Sequence, residues 1–190
     1  DAASNETATI SINGVSGKTG VSENSTPQAV TITITDNESA PSVTLTTSAN
    51  SIAENAGSSL TLTATISQVS DEDVTVNLGA AGTSTNGTDY ASLSSITVSA
   101  GQLTGTASFT PTDDSVYEGN ETGIVAISSV SGGSATEDGT QSVTITITEN
   151  ESSPTVTLAT SGTSIAENSS DTITLTATAS QIADENITVT

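Results

Sequence analysis

An internal repeat constrains this chain more than any other feature. From Gln28 the sequence runs QAVTITITDNESAPSVTLTTSANSIAENAGSSLTLTATISQVSDEDVTVN. From Gln141 it runs QSVTITITENESSPTVTLATSGTSIAENSSDTITLTATASQIADENITVT, a gapless match at an offset of 113 residues (Gln141 against Gln28). A second match joins Asn5-Glu6-Thr7 to Asn120-Glu121-Thr122 at an offset of 115 (Asn120 against Asn5), and the difference falls in the loop 16–27. Self-similarity at a fixed long period marks an array of equivalent structural units. The period predicts the C-terminal part of one repeat in residues 1–40, a complete repeat in 41–153 and the N-terminal part of a third in 154–190. Both ends would then cut through a unit, making the chain a window on a longer array.

Within the complete repeat the pattern has period two. Leu60, Leu62, Ala64 and Ile66 alternate with Thr61, Thr63 and Thr65, and Val143, Ile145 and Ile147 alternate with Thr144, Thr146 and Thr148. Such alternation buries one face of a strand and wets the other. Similar strands are predicted near 42–48, 73–78, 95–99, 103–110 and 122–128. The Thr, Val and Ile that fill them suit a pleated, half-buried surface. The prediction is an all-β chain of tandem antiparallel seven-stranded β-sandwiches, immunoglobulin-like in type, with an aliphatic core that includes Phe109.

Charge narrows the functions open to such a fold. The chain has 22 acidic residues and one basic residue, Lys18, for a net charge of −21. Nucleic acids and anionic membrane surfaces are met by Lys and Arg, so neither is an expected partner. No apolar run approaches the length of a membrane span, and the first residues do not read as a signal peptide. Without His or Cys there is no nucleophilic triad, and zinc and copper sites are disfavoured. Carboxylate pairs can hydrolyse glycosides, but three aromatic rings (Tyr90, Phe109 and Tyr117) are too few for a sugar-binding cleft. The chain reads as a non-enzyme.

The acids are not spread along the strands. In an antiparallel sandwich each strand reverses direction, so alternate connections lie at the same end. The first, third and fifth connections carry Glu54, then Asp89, then Asp113, Asp114, Glu118 and Glu121, and the tail after the last strand carries Glu149, Asn150 and Glu151. All should meet at the end joined to the next repeat. Crowded carboxylates are stabilised by taking up protons or cations. An oxygen-only ligand set suits calcium. Asp71, Glu72, Asp73, Glu137 and Asp138 should lie at the other end, facing the previous repeat's exit at residues 36–38, so that acids of two neighbours meet at each junction.

These residues resemble a known family, the Calx-beta domain, first described in sodium–calcium exchangers and widespread in bacterial surface proteins. Ser51-Ile52-Ala53-Glu54-Asn55-Ala56-Gly57 is similar to its first acidic motif, and Gly82-Thr83-Ser84 with Gly87-Thr88-Asp89-Tyr90 to its G-T-A…G-x-D-Y segment. Gly101 with Asp113-Asp114, then Val116-Tyr117-Glu118 and Glu121, resembles its D-D…E-x-x-E loop. The resemblance covers the whole repeat. It implies calcium ligands at Glu54, Asp89, Asp113, Asp114, Glu118, Glu121, Glu149 and Glu151 with the carbonyl of Val116. Ser115 and Asn150 stand where the exchanger domain has further aspartates. The partial repeats carry matching positions at Glu6, Asp36, Asn37, Glu38 and Glu167. The texture also resembles repeats of giant bacterial surface adhesins, including gliding-motility adhesins of Bacteroidetes. The implied role is an extracellular, cell-surface stalk stiffened by calcium at the ends of its units. Its partners would be neighbouring repeats of the same chain, with lateral self-association as a further contact. The alternatives are a calcium-sensing regulatory domain and a self-associating filament subunit.

Overall fold

The computed structural model describes residues 5–24, 28–35 and 37–190. No helix occurs among them. Thirteen strands do, and they fall into four sheets.

Two of those sheets lie within residues 41–153. One has the order β10-β3-β5-β8, built from β10 (Thr136–Glu137), β3 (Ser42–Thr47), β5 (Leu60–Ile66) and β8 (Thr104–Phe109). The other has the order β4-β11-β9-β6-β7, built from β4 (Ser51–Ala53), β11 (Ser142–Thr148), β9 (Glu121–Ser131), β6 (Val74–Gly82) and β7 (Ile96–Val98). The apolar set of each alternating strand faces inward. Val43, Leu45, Leu62, Ala64 and Phe109 from the first sheet join Val74, Val76, Ile96, Val98, Val125, Ile145 and Ile147 from the second in one buried cluster. Thr rows occupy the outer faces, as the period-two pattern requires.

Nine strands therefore stand where the alternation predicts seven. The additional two are β4 and β10, of three and two residues. Both pair in parallel, β4 with β11 (Thr146 opposite Ser51) and β10 with β3 (Thr136 opposite Ser42), so the repeat is not purely antiparallel. Such short segments carry too few residues to show alternation, and only their tertiary partners make them strands. The strands β6 and β9 also run past their predicted ends and take a register shift at Asn77/Leu78.

The flanking segments form hairpins. β1 (Glu6–Ser11) pairs with β2 (Ala29–Ile34), and β12 (Val156–Thr160) pairs with β13 (Leu175–Ala179). The repeat alignment predicts three strands in residues 154–190, and two form. The counterpart of β6 in this segment, around residues 187–189, is not a strand. In the complete repeat β6 is held between β9 and β7, and residues 154–190 contain no counterpart of either. Exposure follows the same logic. Ile34 is 54% exposed and Ile32 47%, whereas their counterparts Ile147 and Ile145 are 4% and 0%.

The acid-bearing loops rest on this frame. Tyr90 and Phe109 are fully buried and stacked, with ring centroids 4.4 Å apart. Backbone bonds flank that stack: Ala91 N donates to Thr110 O (2.8 Å) and Thr112 N to Asp89 O (2.9 Å). The aromatic pair thus pins the Asp89 loop against the start of the loop that carries Asp113 and Asp114. Gly82 closes β6 with φ +115°, and a Cβ there would lie 2.0 Å from the Thr122 carbonyl oxygen. That contact lets Thr83 N and Ser84 N both donate to Thr122 O, next to Glu121 (2.9 and 3.1 Å).

Candidate metal centre

Two groups of three carboxylates form at one end of the complete repeat, each close enough together that it could hold a metal ion. Glu54, Glu149 and Glu151 make the first, and Asp89, Glu118 and Glu121 the second; within each group one oxygen per residue lies within 4.8 Å of the others.

The first group is placed by the β4–β11 pairing. Glu54 directly follows β4, and its backbone N donates to Thr148 O at the end of β11 (3.0 Å), one residue before Glu149. Glu54 is only 6% exposed. Its carboxylate accepts a long, weak bond: Asp114 N donates to Oε1 at 3.3 Å. Burial raises its carboxyl to about 7; the Asp114 amide opposes the shift, and the charges of Glu149, Glu151 and Asp114 add to it. Glu149 goes the other way. Burial pushes it up, but donors outweigh burial and hold it down to about 2. Among these donors are the backbone N–H groups of Glu151 (2.9 Å), Glu118 (2.6 Å) and Gly119 (2.9 Å). Contact with Glu149 raises Glu151, with burial and the charges of Glu149 and Asp113 adding to it. One Glu151 oxygen, Oε2, is buried without a hydrogen-bond partner. Two carboxylates in contact beside a third that is buried cannot all stay charged without a proton or a cation between them.

The second group gathers around the start of β9. Asp89 Oδ2 accepts from Thr85 N (2.5 Å), which fixes the carboxylate over β9. Glu121 opens β9, and burial raises its carboxyl to about 7, with the Asp89 carboxylate as the next contributor and Glu118 and Asp184 adding. Glu118 is raised for the same reasons: burial first, then Asp89, Asp114, Asp184 and Glu149. The two groups are joined through the backbone, because Glu149 accepts from the N–H of Glu118.

The remaining predicted ligands stand around these groups. Asp113 and Asp114 are exposed and belong to neither. Asp113 acts on Glu151 by charge, and Asp114 Oδ1 accepts from Val116 N (2.7 Å), which turns the loop. Asn150 holds the pair beside it, its N donating to Glu149 Oε1 (2.8 Å) and its Nδ2 to Glu151 Oε1 (2.9 Å). Asn120 Oδ1, which the sequence pattern does not single out, accepts from Glu149 N (3.0 Å). Glu6, Asn37, Glu38 and Glu167 are exposed, none of the three acids joins either group, and Asn37 N donates to Glu38 Oε2 (3.3 Å). Asp36 lies outside the described residues.

The acids at the other end have local duties. Glu72 Oε2 accepts from Gly133 N (3.2 Å), Asp73 Oδ1 from Ala100 N (2.8 Å) and Glu137 Oε1 from Gln141 N (2.6 Å). Each closes a turn. Asp184, the counterpart of Asp71 in the third repeat, instead acts by charge on Glu118 and Glu121 of the complete repeat. The sequence signal for it is the 113-residue offset applied to Asp71.

No family model matches the chain, and no curated protein matches it significantly. Among solved structures the chain is similar to the apo form of the Calx CBD1 domain, at 16% identity over 57% of this chain and 97% of that chain, with a TM-score of 0.47. It is also similar to the calcium binding domain CBD12 of CALX1.1 (17% identity, 55% of this chain, TM-score 0.46) and to CBD12 from CALX1.2 (16%, 51%, TM-score 0.42). The match spans 45% and 40% of those two chains.

Proposed function

We propose that this chain is a stretch of a tandemly repeated extracellular stalk of a bacterial surface adhesin, in which calcium at the end of each repeat stiffens the join to the next. The observation that carries the reading is the first carboxylate group. A nearly fully buried glutamate, Glu54, faces Glu149 and Glu151, and Glu149 and Glu151 belong to the segment that leaves the repeat. A cation there would tie the exit segment to the body of its own repeat. The donor set is all oxygen, in a chain without His or Cys, and that chemistry fits calcium. Glu54, Glu149 and Glu151 would hold one ion and Asp89, Glu118 and Glu121 another. The resemblance to Calx-beta motifs points the same way. Near-identity of the repeats favours a spacer over a sensor, since a sensor gains little from copies. The chain is proposed to act as an inert, non-enzymatic strut whose partners are its own neighbouring repeats.

The test is thermal unfolding in calcium and in chelator. A ligand bound only by the folded state stabilises it by RT ln(1 + [L]/Kd), so millimolar calcium over a micromolar site adds about 4 kcal/mol. The melting transition should rise by several degrees. Superimposable curves with and without chelator would refute the calcium reading.

A further inference from the structure

The complete repeat meets the third at a small, specific contact. Tyr117 N donates to Ile182 O (3.0 Å) and Asp184 N donates to Tyr117 O (3.2 Å), so that Tyr117 and Ala183 form an isolated parallel bridge. The Tyr117 side chain reaches a third element. Its phenol oxygen accepts from Ser153 Oγ (3.0 Å), in the linker just before Pro154. One residue thereby ties together the loop after β8, the linker and the next repeat.

The linker itself is seated identically at both junctions. Gln181 Nε2 donates to Ser152 O and Thr155 N to Ser180 Oγ (2.9 Å). The corresponding bonds 113 residues earlier are Gln68 Nε2 to Ser39 O and Ser42 N to Ser67 Oγ (2.9 Å). The difference lies in Tyr117 and Ser153. Strand register fixes the alignment, because Glu6 faces Ile34 in β1–β2 as Glu121 faces Ile147 in β9–β11. The counterpart of Tyr117 is then Ala2, which lies outside the described residues, and the counterpart of Ser153 is Ala40. In sequence, then, neither counterpart carries a hydroxyl.

We infer that Tyr117 and Ser153 form a latch at the second junction, which holds the linker and the third repeat to the loop after β8. Two backbone bonds between short exposed loops compete with water and hold weakly. The phenol adds a fixed point on the linker and restricts rotation between Glu151 and Pro154. The latch also opposes a repulsion, since Asp184 faces Glu118 and Glu121 across this contact. It needs no ion, so its failure and that of the calcium reading are separable.

Amide exchange on the 190-residue chain, in chelator and again in calcium, tests this. Asp184 N is the reporter and Val125 N, inside the core, is the control. Tyr117→Phe keeps the ring and removes the hydroxyl; Ser153→Ala removes the partner. Each should speed exchange at Asp184 about fivefold, the weight of one hydrogen bond, and leave Val125 unchanged. The chain has no cysteine, so Thr97→Cys with Thr176→Cys also admits a unique spin-label pair across the second junction, whose distance distribution should broaden in both hydroxyl variants. Unchanged exchange at Asp184 in both Tyr117→Phe and Ser153→Ala overturns the latch.

Discussion

Glu54 and Glu121 are glutamates held in places that penalise their charge. Both carboxyls rise to about 7 in the folded chain, above the ordinary carboxylate range of the unfolded one. Between about pH 4.5 and pH 7 the folded state then binds more protons than the unfolded state, so stability falls as pH rises through that window. Glu149, held down to about 2, contributes oppositely, and its share is lost as pH falls from the ordinary range toward 2. In chelator the chain should therefore melt higher at pH 5 than at pH 8, by roughly 1–2 kcal/mol after allowance for solvent screening. Calcium should reverse that order, because the cation replaces the protons and binds best when the carboxylates are charged. A melting point that rises from pH 5 to pH 8 in chelator contradicts the argument. Glu54→Gln separates the two effects. It removes the buried charge while keeping size and an acceptor for Asp114 N, so at pH 8 in chelator it should stabilise by about 1 kcal/mol. In calcium the same variant should lose most of the calcium-dependent gain in melting temperature. The sequence located Glu54, Glu149 and Glu151 at one end by counting strand reversals. It did not show that they form one triad and Asp89, Glu118 and Glu121 another, because that grouping depends on loop backbone bonds such as Glu118 N to Glu149 that no spacing encodes.

Strands differ in how openly the sequence declares them. β5 and β11 were legible to the residue or nearly so, because seven alternating positions leave no other reading. β4 was not, although it is the element that delivers Glu54. Its three residues are ordered by β11, ninety or more positions away, and in the third repeat the same Ser-Ile-Ala sequence at 164–166 is not a strand. Tertiary partners, not local propensity, decide such segments. Gly82 makes a sharper test of an element boundary. Its φ is +115°, and a Cβ at this position would meet Thr122 O at 2.0 Å, which leaves an alanine no room. Gly82→Ala should cost about 2–3 kcal/mol, by left-handed strain and displacement of β9 beside Glu121. The same substitution at Gly57, also left-handed at +61° but with open space around it, should cost about 1 kcal/mol. Equal melting points for the two variants would show that the β6–β9 approach is not a constraint.

At the scale of the whole molecule the proposal is mechanical, and shape is what must be measured. Strands such as β3, β5 and β11, of six or seven residues at ~3.3 Å per residue, with their loops, give each repeat a length of about 35–45 Å. The link from Glu149 to Pro154 is short, and Pro154 fixes its own φ. Within it, Glu149 and Glu151 can be drawn onto Glu54, while Ser152 and Ser153 are held by Gln181 and Tyr117. Ionic and non-ionic ties thus act on adjacent residues of one linker. Excess negative charge on the remaining surface discourages side-by-side bundling. Three complete repeats in series should scatter as a nearly straight rod in calcium and as a shorter, more flexible particle in chelator. The variant Asp113→Ala/Asp114→Ala removes two charges and the acceptor that turns the loop at Val116. It should weaken calcium binding and move the calcium-loaded particle toward the calcium-free dimensions. A wild-type array equally extended in chelator would assign stiffness to the hydrogen-bonded junctions, and calcium would then serve only the fold of each repeat.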